Sequence, residues 1–170
     1  MSRKETQRTL LALRHGHAVE GRDDHERPLT RAGRFEARRM GQRVDRLGVP
    51  DLVLCSSARR AQETLEAASI AWERAPRVRV ERALYLASSE RLLDEILGLS
   101  DEEASVLIVG HNPGIGALVH ALSRGGNEAA RARLRQGFPA GALALLRLGG
   151  ARWCDAHGGG SLETFATPGD

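Results

Sequence analysis

Apolar residues fall in short runs, separated by polar stretches long enough for helices. Leu10 to Leu13 is one run and Asp51 to Cys55 a second. Ser105 to Gly110 (Ser-Val-Leu-Ile-Val-Gly) is the third and strongest. Runs this short, without alternation, read as strands buried on both faces. A shorter strand is expected at Arg77 to Glu81. After the first run, Gly33, Ala37, Met40, Val44 and Leu47 recur at helical spacing and make one buried stripe. Thr30 is a good N-cap for that helix, and Gly48 with Pro50 ends it. Arg31, Arg34, Arg38, Arg39, Arg43 and Arg46 fill much of the rest and read as a solvated face. A second helix is expected from Ser56 to near Ile70, capped by Ser56 or Ser57. A third is expected from Ala87 to Leu99, capped by Ser88 or Ser89, with Leu92, Leu93, Ile96 and Leu97 facing inward. Past the third run, Asn112 reads as an N-cap and Pro113 as the first helical residue. That helix continues through Leu118, Val119 and Leu122.

The C-terminal part has a different rhythm. Gly125 to Gly137 is polar, Arg-rich and partly helical in pattern. Gly141 to Leu148 and Ala151 to Cys154 alternate around Gly149-Gly150, which predicts a β-hairpin. Gly158-Gly159-Gly160 reads as a flexible turn and lacks the Lys-Ser/Thr pair of a P-loop. Ser161 to Pro168 is expected to run along the domain edge. Residues 1–8 read as a mobile tail and residues 9–170 as a single domain. The order βαβαβαβα followed by ββ predicts an α/β fold. It is a three-layer α/β/α sandwich with a mainly parallel sheet and an antiparallel C-terminal hairpin.

The strong runs end in chemistry. Leu13 leads into Arg14-His15-Gly16, and Val109 leads into Gly110-His111-Asn112. Both histidines then stand at carboxyl ends of strands, where open α/β sheets bind ligands. An arginine offers a planar fork that matches phosphate oxygens. A neutral histidine offers a lone pair that can attack phosphorus. Gly16 lets the backbone approach a ligand closely. Arg60 is placed in the first turn of the second helix, near N–H groups that favour an anion. His111 can donate to a non-bridging oxygen. The polar loop from Ala18 to Pro28 carries Asp23, Asp24, His25, Glu26 and Arg27. These are adjacent in sequence rather than spaced on one face, so the loop reads as hydrated rather than as a metal site, though a loop this close to the first strand could still lie beside the site.

Composition narrows the classes. The chain has 170 residues, 41% of them hydrophobic, which suits one ordinary globular domain. No apolar run approaches the roughly 18 residues that span a bilayer, and Met1 to Thr9 lacks the apolar core of a signal peptide. A cytoplasmic location is expected, with no membrane partner. A net charge of +3 raises the question of nucleic acid, but aromatics are only 4% and Arg and Glu are interspersed. Base stacking has little to work with, so no nucleic-acid partner is expected. Cys55 and Cys154 are in no ligand spacing and read as buried free thiols, not nucleophiles.

Three ordered segments resemble the histidine phosphatase superfamily: Arg14-His15-Gly16, Ser56 to Thr64 as Ser-x-x-x-Arg-Ala-x-x-Thr, and Gly110-His111-Asn112-Pro113. Further segments are similar to the small SixA-type phosphohistidine phosphatases. They are Arg27-Pro28-Leu29-Thr30, Asp51 to Ser57, Leu84-Tyr85, Phe138-Pro139-Ala140-Gly141 and Trp153. The resemblance covers about residues 9–168. It implies a phosphoglycerate mutase-like fold and two-step chemistry, in which His15 takes the phosphoryl group and water then releases it. It implies Arg14, Arg60, His111 and Asn112 around the phosphate, with Arg60 rather than Arg59 selected by the Arg-Ala-x-x-Thr register. No cofactor is implied, because arginines and histidines supply the positive charge.

The chain departs from the phosphomonoesterase members at one point. Their acidic proton donor after the third strand has no clear match in Glu81-Arg82-Ala83-Leu84-Tyr85. Glu81 and Glu90 are candidates, each reading better as a surface carboxylate, and Glu81 or His17 would be the acid of a phosphomonoesterase. A phosphohistidine P–N bond needs little protonation on leaving, whereas an alkoxide needs a proton. A phosphorylated protein carrying phosphohistidine is therefore the expected partner. The alternatives are a small phosphoester and a non-catalytic phosphate-binding module. Only 50 residues lie between Arg60 and His111, too few for a lid beyond the expected elements. Activity should survive EDTA; loss on chelation with rescue by a divalent ion would redirect attention to Asp23, Asp24 and His25.

Overall fold

The computed structural model describes residues 7–170. In chain order the elements are β1 (Arg8–Arg14), α1 (Arg31–Leu47), β2 (Leu52–Ser56), α2 (Arg59–Ser69), β3 (Arg77–Glu81), a 3-10 turn (Arg82–Leu84), α3 (Ser89–Leu97) and β4 (Ser105–Gly110). There follow α4 (Gly114–Leu122), β5 (Ser123–Gly126), α5 (Glu128–Arg135), β6 (Leu143–Leu148), a 3-10 segment (Trp153–Gly158) and β7 (Gly160–Ala166). One seven-stranded sheet has the order β3-β2-β4-β1-β6-β7-β5. β3, β2, β4 and β1 run parallel. β6 is antiparallel to both β1 and β7, and β5 is parallel to β7.

The alternation of side chains along a strand divides the core in two. Leu10, Ala12, Leu52, Leu54, Val106 and Ile108 pack with Leu92 and Ile96 of α3 and Ile115, Leu118 and Val119 of α4. Leu11, Leu13, Val53, Cys55, Leu107 and Val109 pack on the other face with Met40 and Val44 of α1 and Ala61 and Leu65 of α2. Both faces of the central strands are therefore covered. This is the three-layer α/β fold expected from their unbroken apolar runs. Each such leucine contributes roughly 1.5–3 kcal/mol by burial.

Helix ends follow local chemistry. Thr30 caps α1, its hydroxyl accepting from Gly33 N–H at 2.9 Å, and Ser88 caps α3. Gly48 leaves α1 at φ 111°, a conformation that favours glycine. Two expected caps are not used. Ala58 occupies the cap position of α2 without a side-chain bond, and Ser56 Oγ instead accepts from Ala58 N–H. Pro113 occupies the cap position of α4 after a cis Asn112–Pro113 peptide, and the Asn112 amide reaches elsewhere.

The C-terminal hairpin has a different second strand from the expected Ala151 to Cys154. Trp153 is fully buried, with its indole N–H donating to the Glu103 carbonyl at 2.8 Å. That large side chain draws its segment into the core as a 3-10 turn, and Gly160–Ala166 pairs with β6 in its place. Ser161 to Ala166 is thus inside the sheet, between β6 and β5, rather than at its edge. β5 itself, polar and glycine-rich, carries no apolar signal and was not expected. β1 begins at Arg8, one residue before the expected start. The Arg8 guanidinium is buried and donates to the Ala151, Asp101 and Glu103 carbonyls. Of the expected tail, residues 1–6 lie outside the described residues. Cys55 is buried as expected, but Cys154 is exposed.

At the carboxyl end of β1 the chain presses against α1. A Cβ placed on Gly16 would stand 2.6 Å from the Gly33 carbonyl oxygen. Gly16→Ala should therefore lower stability by about 1–3 kcal/mol, the usual range for overpacking. Urea unfolding at neutral pH measures it.

Candidate active site

Strand register places the site. Arg14 of β1 is level with Gly110 of β4, so His15 and His111 follow side by side at the carboxyl edge. His15 N–H donates to the Gly110 carbonyl at 3.1 Å, and the two imidazole centroids are 5.1 Å apart. On the other side of β4, Cys55 of β2 is level with Val109. That brings Ser56 to His111, with Oγ 2.7 Å from Nε2. Arg60 projects from the first turn of α2, is only 3% exposed, and donates from Nε to His15 Nε2 at 3.2 Å. Three adjacent parallel strands thus deliver the groups to one rim.

Hydrogen bonds set the state of His15. Its Nδ1 is 2.7 Å from the Gly16 carbonyl oxygen, which only accepts. The ring proton is therefore on Nδ1, and Nε2 holds the lone pair that accepts from Arg60. Burial pushes the His15 pKa down to about 4, with the charges of Arg60, Arg14 and Arg27 adding to the effect against the Gly16 bond. Burial likewise pushes His111 down to about 3, helped by His15 and Arg60. His111 Nδ1 is buried and has no partner among the described residues.

The motif residues between these groups are structural ties. Thr64 Oγ1 accepts from Gly16 N–H at 3.1 Å and donates to the Arg60 carbonyl at 2.7 Å. Glu63 accepts from Leu29 N–H at 2.7 Å and pairs with Arg34 and Arg59, which fastens the polar loop to α2. The Phe138 carbonyl accepts from Arg14 Nη1 at 2.9 Å and from Asn112 Nδ2 at 2.7 Å. Arg14 Nε is buried and without a partner among the described residues, and burial with the Arg60 charge holds the Arg14 pKa below its ordinary value. A cleft of about 510 Å³ opens beside Arg14 and Asn112, bordered by Arg133 and Phe165.

The structure brings together Arg14, His15, Arg60 and His111. Asn112 stands at the same rim, with its amide N–H donating to the Phe138 carbonyl at 2.7 Å. The three proton-donor candidates have partners elsewhere, Glu90 being exposed and accepting from the Ser89 hydroxyl at 3.1 Å. Glu81 accepts from Arg79 at 2.7 Å and 2.9 Å, and His17 is exposed and bonded to Glu36 at 2.7 Å. Three residues were not expected here. The sequence offers Ser56 as a helix cap and in a matching segment, Tyr85 in a matching segment, and Asp24 only as part of the polar loop. Asp24 accepts from Arg60 Nη2 at 3.0 Å and from the Tyr85 hydroxyl at 2.5 Å. Tyr85 stands edge-on to His111 and His25, with centroids 5.6 Å and 4.9 Å away. Among the described residues, no group of three or more His, Cys, Asp or Glu is placed to hold a metal.

A family profile described as the histidine phosphatase superfamily (branch 1) matches residues 10–85. A structure of a candidate phosphohistidine phosphatase SixA from Nakamurella multipartitia superposes with a TM-score of 0.83 at 33% identity. It covers 95% of this chain and 96% of its own. The chain belongs to the histidine phosphatase superfamily. Within it, the likeness to SixA proteins extends to the protein histidine phosphatase SixA complexed with tungstate. There the TM-score is 0.76 at 27% identity, covering 94% of this chain and 97% of that one. An uncharacterized protein of Mycobacterium tuberculosis, Rv1276c, is 38% identical over 163 residues, covering 92% of this chain and 99% of that protein.

The neutral histidines of this superfamily member have a thermodynamic signature. Their folded pKa values, about 4 and about 3, lie below the ordinary 6.5. Below pH 6.5 the unfolded chain takes up protons that the folded chain refuses, so stability falls as pH falls toward those values. Above pH 6.5 this contribution is fully present. Urea midpoints from pH 8 to 4.5 should decline below about pH 6.5, and His15→Gln should flatten the decline.

Proposed function

We propose that the chain is a metal-independent phosphatase that carries the phosphoryl group on His15 and acts on phosphohistidine in a protein. The observation that supports this most is the state of His15. Its Nδ1–H is tied to Gly16, and its Nε2 lone pair is held beside Arg60 and His111. A nucleophile needs its lone pair free at neutral pH, and a pKa of about 4 provides that.

In the proposed cycle, Arg14 and Arg60 hold the phosphoryl oxygens. His15 Nε2 forms a bond to phosphorus as the P–N bond of the substrate breaks. The electron pair leaves with the substrate imidazole, which takes a proton from water. Water then attacks phospho-His15, and phosphate departs as His15 recovers its lone pair. Ser56 donating to His111 Nε2 would leave the His111 proton on Nδ1, available to a non-bridging oxygen. The tungstate-bound SixA relative supports an oxyanion site on this fold.

The carboxylates support the choice of leaving group. Asp24 is the one that touches Arg60, and bonds from Tyr85, Arg27 and Arg60 hold it far below the usual carboxylate range. An ionised Asp24 has no proton to give an alkoxide. Between Arg60 and His111 the chain holds only the rest of α2, β3, the 3-10 turn, α3 and β4. Binding energy for a small leaving group is then scarce, and a protein substrate can supply it from contacts outside the pocket. We assign that contact to the loop Ala18–Arg27 and the Arg-rich segment Gly125–Gly137.

His15→Ala should abolish turnover, and His111→Ala should slow it by about 10²–10³-fold, the loss typical of an oxyanion donor. The specificity test compares kcat/KM for a phosphohistidine protein, free phosphohistidine and sugar phosphates. A clear preference for a small phosphomonoester would reject the protein-substrate reading. Tight phosphate binding with no phospho-His15 would reject catalysis.

A further inference from the structure

Arg60 presents two different edges. Its end edge, Nη1 and Nη2, faces Asp24: Nη1 donates to the Asp24 carbonyl oxygen at 2.5 Å and Nη2 to Oδ2 at 3.0 Å. Its side edge begins with Nε, which donates to His15 Nε2 at 3.2 Å. The second Nη2 hydrogen lies on that same side edge by the geometry of a guanidinium. A flexible side chain that must meet an oxyanion in one orientation loses reach if it can rotate. Here a single residue grips the far end of the fork with its backbone and its side chain.

Asp24 is itself held. The Tyr85 hydroxyl donates to Oδ2 at 2.5 Å, and Arg27 Nη1 donates to Oδ1 at 2.9 Å. Arg27 is anchored in turn by Nε on the Val19 carbonyl at 2.8 Å. The Arg59 N–H donates to the His25 carbonyl at 3.0 Å, which pins the loop to the start of α2. Tyr85 is also stacked edge-on to His111, with the Arg60 guanidinium carbon 6.0 Å from its ring centre.

We propose that Asp24 is a positioning residue: it grips the end edge of Arg60 so that the Nε–Nη2 edge stays aimed at the phosphoryl group beside His15, and Tyr85 locks the carboxylate. This rests on the phosphoryl-transfer reading of the site. Asp24 acts through Arg60 and touches no reacting atom. It is not a plug, because the edge it occupies is not the edge that faces His15. It is not a general acid, because its three donors keep it ionised. Its negative charge also balances one of the buried arginines and leaves Arg14 to meet the incoming dianion.

The test uses the full chain with p-nitrophenyl phosphate as substrate and orthovanadate as inhibitor. Asp24→Ala and Asp24→Asn should lower kcat/KM by about 10- to 10²-fold, the scale of a misaligned group. The loss should fall mainly in kcat, with orthovanadate inhibition weakened to a similar extent. Asp24→Glu should recover part of the loss. On an Arg60→Ala background, Asp24→Ala should add less than about threefold, since coupled residues are not additive. Tyr85→Phe keeps the ring and removes the lock; it should give a smaller loss of the same kind and serves if Asp24→Ala does not fold. Tighter orthovanadate binding in Asp24→Ala would overturn the proposal, as would an unchanged rate or an undiminished loss without Arg60. Should the wild-type chain turn over no phosphorylated substrate, the proposed function fails by itself. Calorimetric binding of orthovanadate still decides the role of Asp24: weaker binding in Asp24→Ala supports it, and equal or tighter binding overturns it.

Discussion

Arg14, Arg60, His15 and His111 can each carry a positive charge, and they share one largely buried space. They cannot all be charged there, since burial and mutual repulsion both oppose it. The two arginines keep their charge because a guanidinium does not deprotonate in a protein. The histidines therefore give up theirs, and their pKa values fall to about 4 and about 3. A neutral imidazole beside fixed cations is a ready nucleophile toward an anion. One carboxylate, Asp24, completes the balance. The reactivity assigned to His15 is thus a result first of its burial and then of the cations beside it, with the Gly16 carbonyl selecting which nitrogen is free.

The framework that crowds them is simple. β1, β4 and β2 are buried on both faces, so their polar residues are confined to their ends. Their parallel register makes those ends coincide, and the first turn of α2 adds Arg60. The Thr64 hydroxyl then joins the start of the β1 loop to the carbonyl of Arg60. One side chain in the Arg-Ala-x-x-Thr segment sets the distance between nucleophile and clamp.

What could be read in advance follows the range of the interactions. The apolar runs, the helical stripe of α1 as far as Val44 (Leu47, expected in it, is exposed at the helix end) and the strand-end histidines are local signals, and most of the sheet and the four central residues were legible from them. The hairpin was misplaced because alternation around Gly149-Gly150 is a local cue, whereas Trp153 answers to a distant carbonyl on Glu103. For the same reason the sequence could place the polar loop near the site but gave Asp24 no role in it. Its partners Arg60 and Tyr85 are 36 and 61 residues away, and a loop of adjacent charges looks hydrated until those partners are in place. Asn112 reads locally as a cap, but Pro113 takes that position and the Asn112 amide reaches the Phe138 carbonyl 26 residues away.

The two cysteines differ in a way that is useful at the bench. Burial pushes the Cys55 thiol up to about 12, so it offers almost no thiolate at neutral pH. Cys154 is exposed, on the 3-10 segment next to Trp153, whose indole and backbone N–H groups bond to Glu103 and Asp101 just ahead of β4. His111 follows the other end of the same strand, roughly 20 Å away at about 3.3 Å per residue. A maleimide dye or spin label would therefore attach at Cys154 alone, across the sheet from the histidines. From there it could report on docking of a large substrate without a cysteine-free background having to be made first.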